Sequence, residues 1–247
     1  VAPLQEVLAN AAGTGAALHV VHINSSMGEN ADIALEMIRE MQSRGLDVTT
    51  ENYPYTAGST RLESALFDNW ESNFESLQWV ATGERLTKES FDKYRKEGGW
   101  VIIHGRTEAM NAWLVEQLDL IIASDGIPFV DGLSHPRSAG TYARILGRYV
   151  REEGRLTLMQ ALSKMTLMPA RRLESFAPAM KNKGRIQVGA DADITIFDAS
   201  KIIDRATYTK PAQHSDGIEY VMVNGTLVLD KGESVNGVYP GKGVKAE

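Results

Sequence analysis

The sequence contains no cysteine, and that absence excludes three kinds of chemistry. A chain without thiols has no disulfide framework, no thiolate ligand for a metal and no cysteine nucleophile. Basic runs are absent too: 26 basic and 32 acidic residues are scattered along the chain, so nucleic acid is not an expected partner. No apolar run approaches the roughly 20 residues that a membrane-spanning helix requires, so no membrane is expected either. The lack of cysteine favours a reducing compartment, and therefore a cytoplasmic protein, while leaving a periplasmic one open.

The residues that are present are those of a globular protein. Apolar residues make up 43% of the 247, enough for one large core or two modest ones. From residue 1 to about residue 126, helical segments alternate with short strands that are apolar on both faces, a pattern typical of a parallel α/β sheet. The predicted strands cover residues 18–23, 48–53, 100–104 and 120–124.

The rest of the chain has a different pattern. A helical block is predicted over residues 156–176, where Thr157 is a good N-cap and Gln160 completes a capping box. Short alternating strands follow, and Asn224-Gly225 is the strongest hairpin signal in the sequence. These strands are predicted over residues 185–188, 194–197, 220–223 and 226–229. The pattern indicates two units, residues 1–180 and residues 181–247.

Three polar residues close predicted strands. His22 is in phase with the apolar Leu18 and Val20, and Asp125 and His104 end their own runs in the same way. Functional residues belong at the carboxyl ends of parallel strands, where the following loops form a cleft. If the apolar residues of each strand face a barrel interior, the polar residue faces the mouth of the barrel.

An imidazole and a carboxylate at such a mouth suit metal-dependent hydrolysis. Neutral imidazole is a good zinc ligand, and a carboxylate can take a proton from a metal-bound water and pass it to a leaving amine. Plainer interpretations stay open, because His22 could be an ordinary hydrogen-bonded histidine and Asp125 could simply form a turn.

Two further segments could line the cleft. Residues 52–60, which include Tyr53 and Tyr55, follow a strand and are rich in turn residues. His135 and Arg137 lie soon after Asp125, where a guanidinium could hold a substrate carboxylate in a bidentate fashion. An ordinary loop and solvent exposure of Arg137 are the competing interpretations. His19 points to the opposite face of its strand and His214 lies in the late strands, so both are interpreted as structural.

These segments, in this order, resemble the amidohydrolase superfamily, and within it the branch of D-aminoacylases and N-acyl-D-amino-acid or D-glutamate deacylases. The most specific segment is KGRIQVGADADITIFD at residues 183–198, which is similar to the return of an amidohydrolase chain into its small β-sandwich. The hairpin at residues 217–225 and the helical stretch at residues 156–173 extend the match. The segments at residues 20–25, 53–60, 124–126 and 135–137 resemble the deacylase branch in particular.

The resemblance implies a fold and an activity. The expected fold is α/β, the C-terminal part of a TIM-like (β/α)8 barrel with about four βα units, plus part of a β-sandwich. The expected activity is zinc-dependent hydrolysis of an N-acyl amide, with one or two zinc ions, acting on a small N-acyl-D-amino acid such as N-acyl-D-glutamate. By the same resemblance His22 would bind metal on barrel strand five, and Asp125, on strand eight, would be a metal ligand and the general base that also protonates the leaving nitrogen. Tyr53, Tyr55, His135 and Arg137 are the expected substrate-binding residues.

The sequence departs from the family pattern in two places. Tyr53 stands where D-aminoacylases have a zinc-binding histidine on strand six, so the phenol substitutes, His104 moves in, or that ligand is absent. The His-x-His pair of strand one and the ligand of strands two to four have no counterpart, and zinc takes about three protein ligands. We therefore expect an N-terminally incomplete part of the enzyme, with an incomplete ligand set and little activity of its own.

The partners and the alternatives follow from this incompleteness. Four parallel strands leave two open edges, which a missing N-terminal half or a second copy of the chain would cover, so a homo-oligomer is expected. One alternative is a catalytically silent half-barrel that associates with a partner. Another is a cyclic-amide hydrolase similar to dihydroorotase or hydantoinase, because one superfamily fold serves many substrates.

Overall fold

The computed structural model describes residues 1–246, so Glu247, the last residue of the predicted second unit, lies outside the described residues. The α-helices are α1 Ala2–Thr14, α2 Ile23–Ser26, α3 Ala31–Ser43, α4 Lys88–Glu97, α5 Glu108–Glu116, α6 Arg137–Arg144, α7 Leu158–Met165 and α8 Leu167–Leu173. The strands are β1 Leu18–Val20, β2 Val48–Asn52, β3 Ala57–Arg61, β4 Leu77–Trp79, β5 Trp100–His104, β6 Ile121–Ile122, β7 Ile194–Phe197, β8 Ile218–Val223, β9 Thr226–Asp230 and β10 Glu233–Ser234. A π-helix, Ile145–Glu152, continues α6, and 3₁₀ turns lie at Gly28–Asn30, Ala65–Phe67, Phe74–Ser76 and Pro178–Asn182. Within residues 1–246 no helix is both long and apolar enough to cross a membrane.

The first sheet is parallel, in the order β1-β2-β6. Its core lies against α1 and α3, because both helices present an apolar stripe at helical spacing to the strands. The buried residues of this cluster are Leu4, Leu8, Ile23, Ala31, Ala34, Leu35, Ile38, Val48, Leu114 and Leu120. Leu18 and Val20 pack against the same cluster.

The packing of Leu18 and Val20 corrects one prediction. These residues face the covering helices, so the expectation that the apolar residues of the strand point into a barrel interior is wrong. The opposite face of the sheet carries polar residues instead. There His19 Nδ1 lies 2.7 Å from Thr49 Oγ1, and His19 Nε2 lies 3.2 Å from Glu51 Oε2. A two-residue period shows that a strand has two faces but does not show which face the helices cover.

The second sheet is antiparallel, in the order β3-β5-β4. The prediction that residues 100–104 form a parallel strand is therefore wrong, although the strand itself has the predicted bounds. As the central strand of its sheet, β5 has Val101 and Ile102 fully buried, and these residues contact different apolar clusters. A central antiparallel strand buried on both faces is as continuously apolar as a parallel one, so the residue pattern could not distinguish them.

The last part of the chain places helices against a four-stranded antiparallel sheet, β7-β8-β9-β10. Thr157 caps α7 and forms the predicted capping box with Gln160. Asn224 and Gly225 both have positive φ, 46° and 75°, as the predicted two-residue hairpin turn requires. The predicted strand at residues 185–188 is wrong, because Ile186 is 90% exposed and forms no ladder.

Candidate active site at the strand ends

Three predicted site residues follow the carboxyl ends of the parallel strands. His22 comes two residues after β1, Tyr53 directly after β2, and Asp125 three residues after β6. Because the three strands are parallel, these residues lie along the same edge of the sheet. His22 (φ 36°) and Asp125 (φ 48°) both have left-handed backbone conformations. Non-glycine residues adopt this conformation at a cost, and such residues cluster at functional sites.

His22 has one ring nitrogen engaged and one available. Its Nδ1 lies 2.8 Å from Ser26 Oγ. The Ser26 hydroxyl in turn donates to the backbone oxygen of Val21, at 3.3 Å, so its oxygen accepts a hydrogen bond from the Nδ1–H group of His22. That hydrogen bond leaves the Nε2 lone pair free, which is the arrangement found in metal-binding histidines.

Asp125 is held by a buried arginine. Arg137 Nη1 lies 2.8 Å from Asp125 Oδ2, and the side chain of Arg137 is 1% exposed, whereas that of Asp125 is 30% exposed. Arg137 is the first residue of α6, and its guanidinium carbon stands 4.5 Å from the centre of the Tyr53 ring. The pairing fixes one carboxylate oxygen of Asp125 and leaves the partly exposed carboxylate at the edge of the sheet.

Tyr53 follows β2, the central strand of the parallel sheet, and so lies between the strand ends that carry His22 and Asp125. Its ring is fully buried, and its backbone oxygen accepts a hydrogen bond from Asn24 Nδ2 in α2, at 2.9 Å. Its hydroxyl oxygen accepts a hydrogen bond from Arg106 Nη2, at 2.8 Å. Arg106 was not among the sequence-based candidates. A signal was available, since Arg106 lies two residues beyond a predicted strand end.

His135 is neutral and has no free ring nitrogen. Its Nε2 donates to the backbone oxygen of Ala57 at 3.1 Å, and its Nδ1 accepts from the backbone N–H of Arg137 at 3.0 Å. Burial, with Arg137 nearby, lowers the pKa of His135 well below its usual value. The ring packs edge-on against Tyr53, Tyr55 and Tyr208. His135 therefore helps to fix the positions of Tyr53 and Arg137.

The side chains of Tyr55 and His104 are also hydrogen-bonded to neighbouring side chains. The Tyr55 hydroxyl donates to Asp204 Oδ2 at 3.1 Å, and burial together with Asp204 raises the Tyr55 pKa. His104 Nε2 donates to Gln78 Oε1 at 2.9 Å, and burial, with Arg85 and Arg106 nearby, lowers the pKa of His104 to about 4. His104 belongs to the antiparallel sheet rather than to the parallel edge.

The structure thus brings His22, Tyr53, Asp125 and Arg137 to one edge, with Tyr55 and His135 packed behind them. Within residues 1–246, no three His, Asp or Glu side chains are grouped so that they could hold a metal ion. Among the described residues at this edge, the atoms that could coordinate a metal ion are His22 Nε2 and the carboxylate oxygens of Asp125.

The chain is similar over most of its length to two curated deacylases. The chain is 33% identical over 242 residues to N-acyl-D-glutamate deacylase of Alcaligenes xylosoxydans xylosoxydans, covering 92% of this chain and 48% of that protein. It is 29% identical over 212 residues to D-aminoacylase of the same organism, covering 79% of this chain and 41% of that protein. The chain thus spans about half the length, or less, of these curated relatives.

A solved structure and a family model give the same result. N-acyl-D-glutamate deacylase from Bordetella bronchiseptica, solved with zinc and a phosphonate inhibitor, superimposes with a TM-score of 0.79 at 30% identity, over 94% of this chain and 52% of that one. The predicted α/β fold class is confirmed by this superposition. The model of the amidohydrolase family matches residues 69–229, well over half of the chain. The chain therefore belongs to the amidohydrolase family.

Proposed function

We propose that this chain carries part of the active site of a zinc-dependent enzyme that hydrolyses N-acyl-D-amino acids. The proposal rests on two side chains that lie along one sheet edge. His22 has a free Nε2, and the carboxylate of Asp125 is held by the buried Arg137. The similarity to N-acyl-D-glutamate deacylases over more than nine-tenths of the chain supports the choice of substrate class.

The donors in this chain suit zinc in kind but not in number. His22 Nε2 and Asp125 are a borderline nitrogen ligand and an oxygen ligand, whereas a catalytic zinc site takes about three protein ligands. Tyr53 and His104 are weaker candidates, because the Tyr53 hydroxyl is buried beneath Arg106 and His104 Nε2 is bonded to Gln78. One or two bound zinc ions would polarise the amide carbonyl and acidify a water. The remaining ligands would come from polypeptide other than residues 1–246.

Asp125 is the proposed general base and acid. Its carboxylate would accept a proton from the attacking water as the new C–O bond forms, and would return that proton to the amide nitrogen as the C–N bond breaks. The products are a carboxylate and a free amino acid, and Asp125 ends in its starting state. Arg137 holds the carboxylate pointed at the edge.

The substrate would lie along the same edge. The second guanidinium nitrogen of Arg137, beside Asp125, is the proposed partner of the α-carboxylate, and Tyr53 forms the adjoining wall. Tyr55 and His135 contribute by fixing Tyr53 and Arg137, since both are buried and fully hydrogen-bonded. These four roles remain predictions for mutagenesis.

A second polypeptide region is proposed to complete the fold. Strands β1 and β6 are the outer strands of the parallel sheet, and among residues 1–246 neither has a partner on its outer side. The known relatives are about twice as long as this chain. An N-terminal half, or a second copy in a homo-oligomer, would cover these edges, with residues 1–180 in the barrel and residues 181–247 in the β-sandwich. A cytoplasmic location is proposed for the whole.

The test is hydrolysis of N-acetyl-D-glutamate by the complete gene product, with zinc content measured on the same preparation. We expect D-glutamate release, loss on chelation and recovery with zinc, with N-acetyl-L-glutamate as the matched control. The 247-residue chain alone should show little activity. Opening of dihydroorotate or a hydantoin, without release from any N-acyl-D-amino acid, would support the cyclic-amide alternative instead. Association without activity on either class would support the silent half-barrel.

A further inference from the structure

Arg106 is a partly exposed arginine beside Tyr53, at the proposed active-site edge. Arg137 is almost completely buried and already paired with Asp125, whereas Arg106 is only partly buried. Among residues 1–246, no carboxylate oxygen lies within 4.0 Å of an Arg106 nitrogen. Its hydrogen bonds go from Nη2 to the hydroxyl of Tyr53 and, at 3.4 Å, to the backbone oxygen of Tyr55. The positive charge of Arg106 is therefore not neutralised by an ion pair in the described chain.

Gly58 provides the space for this guanidinium. A Cβ atom at position 58 would lie 3.3 Å from Arg106 Nη1 and 3.4 Å from the hydroxyl oxygen of Tyr53. It would also lie 3.7 Å from the Cβ of Ser25, in the short helix that begins directly after His22. Arg106 is thus placed beside the segment that carries His22, on the same side of the molecule as the proposed zinc ligand.

A cavity of about 420 Å³ adjoins Arg106. Its walls come from the turn after α2 and from the loop between β5 and α5, namely Gly28, Glu29, Gly105, Arg106, Thr107 and Met110. Two of the six residues are glycines, and Thr107 offers a hydroxyl that also caps α5. Glu29 lies on the wall as the one carboxylate, more than 4.0 Å from any Arg106 nitrogen. The cavity is large enough for a short acidic side chain.

The spacing of the two arginines suits a substrate with two carboxylates. The guanidinium carbon of Arg137 lies 4.5 Å from the centre of the Tyr53 ring, and that of Arg106 lies 5.4 Å from the same point. Arg137 is adjacent to Asp125, where the scissile amide and its α-carboxylate must lie. Arg106 is a second guanidinium beside the same ring and is available for a second carboxylate.

We infer that Arg106 binds the side-chain carboxylate of the substrate and makes the enzyme selective for N-acyl derivatives of acidic D-amino acids. This inference rests on the proposed function. A guanidinium whose Nη2 is held by Tyr53 is preorganised to donate a charge-assisted hydrogen bond from Nη1 to a carboxylate. A neutral amide side chain of the same shape, as in N-acyl-D-glutamine, has no charge to offer and would leave the cation uncompensated.

The experiment compares N-acetyl-D-glutamate with N-acetyl-D-glutamine in the zinc-loaded complete gene product and its Arg106→Met variant. The expected result is a loss of roughly 10- to 100-fold in the ratio of the two kcat/KM values, chiefly through KM for the acidic substrate. Arg106→Lys keeps the charge and should restore part of the preference. Arg85→Met is the matched control, since Arg85 is an exposed arginine of the neighbouring sheet that donates to backbone oxygens.

Other outcomes would overturn the inference and identify the reason. Equal losses on both substrates in Arg106→Met would assign Arg106 to the α-carboxylate or to holding Tyr53. An unchanged ratio would remove Arg106 from recognition altogether. If Arg106→Met does not fold, the same comparison in Arg106→Lys and Arg106→Gln decides, because the lysine should discriminate and the glutamine should not. Failure of the unmodified enzyme on both substrates would instead reject the proposed function, on which this inference depends.

Discussion

Arg137 and Asp125 form an ion pair in which the cation is buried and the anion reaches solvent. The asymmetry has a chemical consequence. A buried guanidinium can neither leave nor lose its proton, so it holds the carboxylate in one orientation while one carboxylate oxygen stays available for proton transfer. Breaking the pair from either side should therefore affect the reaction more than the fold of the surrounding loop.

The first prediction concerns Asp125→Asn. Asparagine tolerates the left-handed conformation that Asp125 adopts, so the substitution removes the base without changing the backbone. We expect kcat to fall by about 10²- to 10⁴-fold, with zinc content measured alongside. The matched control is Asp131→Asn, an exposed aspartate with φ 51° in the same loop region, which should keep full activity. Undiminished turnover in Asp125→Asn would remove the proposed base.

The second prediction concerns Ser26→Ala. Without the hydroxyl that accepts from His22 Nδ1, the imidazole loses the contact that fixes its orientation and proton position. Loss of such a partner typically weakens metal binding by about 10- to 100-fold, so zinc affinity of the complete gene product should fall by that amount. Ser43→Ala, whose hydroxyl only donates to a carbonyl within α3, is the control. Equal zinc affinity in both variants would argue against His22 as a ligand.

The third prediction is a loss of stability in acid. His104 stays neutral in the folded chain down to about pH 4, whereas in the unfolded chain it takes up a proton near pH 6.5. His135 is shifted in the same direction by burial. The unfolded state therefore binds more protons, and the free energy of unfolding falls as the pH falls from about 6.5 to 4.

Urea unfolding at pH 7 and pH 5 measures this effect. The contribution of His104 should be about 1 kcal/mol, reduced from the full shift because the ring is partly exposed. His104→Gln should flatten the pH dependence, and His214→Gln, in a loop before β8, should leave it unchanged. A steeper dependence in His104→Gln would contradict the assignment.

The fourth prediction concerns Lys164, a buried lysine. Its ammonium donates to the backbone oxygens of Val115, at 2.8 Å, and Gln117 at the end of α5. Burial lowers its pKa from 10.5 to about 8, so between pH 8 and 10.5 the unfolded chain holds more protons than the folded one. The free energy of unfolding therefore gains from this group as the pH rises through that window.

Comparison with Lys164→Met separates this contribution from other groups that titrate in base. From pH 7 to pH 9.5 the unmodified chain should gain about 1–2 kcal/mol relative to the variant in urea unfolding. Lys88→Met, an exposed lysine on α4, is the control and should show no such relative gain. A relative loss instead of a gain would mean that the buried ammonium is stabilised by its surroundings.

The sequence predicted where the parallel strands β1 and β6 end better than it predicted the geometry of the residues that follow them. Polar residues at strand ends gave His22 and Asp125, because the period of two and the apolar runs mark where strands stop. The left-handed turns at both residues carry no residue signature of their own, since neither is glycine. Side-chain direction at those turns therefore could not be derived from strand phase.

Arg106 illustrates the other limit of strand-based prediction. Its position beside Tyr53 depends on the antiparallel pairing of β5 with β3, which brings the end of β5 next to the start of β3. Pairing direction is a tertiary property that a short apolar run does not encode. The hairpin and the capping box, by contrast, depend on contacts a few residues apart, and both were predicted correctly.

The polar face of the parallel sheet sets a chemical requirement on whatever closes it. His19 and Glu51 line a cavity together with Arg172 from α8, and Thr49 bonds to His19 on the same face of the sheet. TIM-barrel centres are usually filled by layers of branched aliphatic side chains, which would take these groups out of water and offer them no further hydrogen bonds. A polypeptide that packed against this face would therefore have to offer polar side chains at the level of His19 and Glu51.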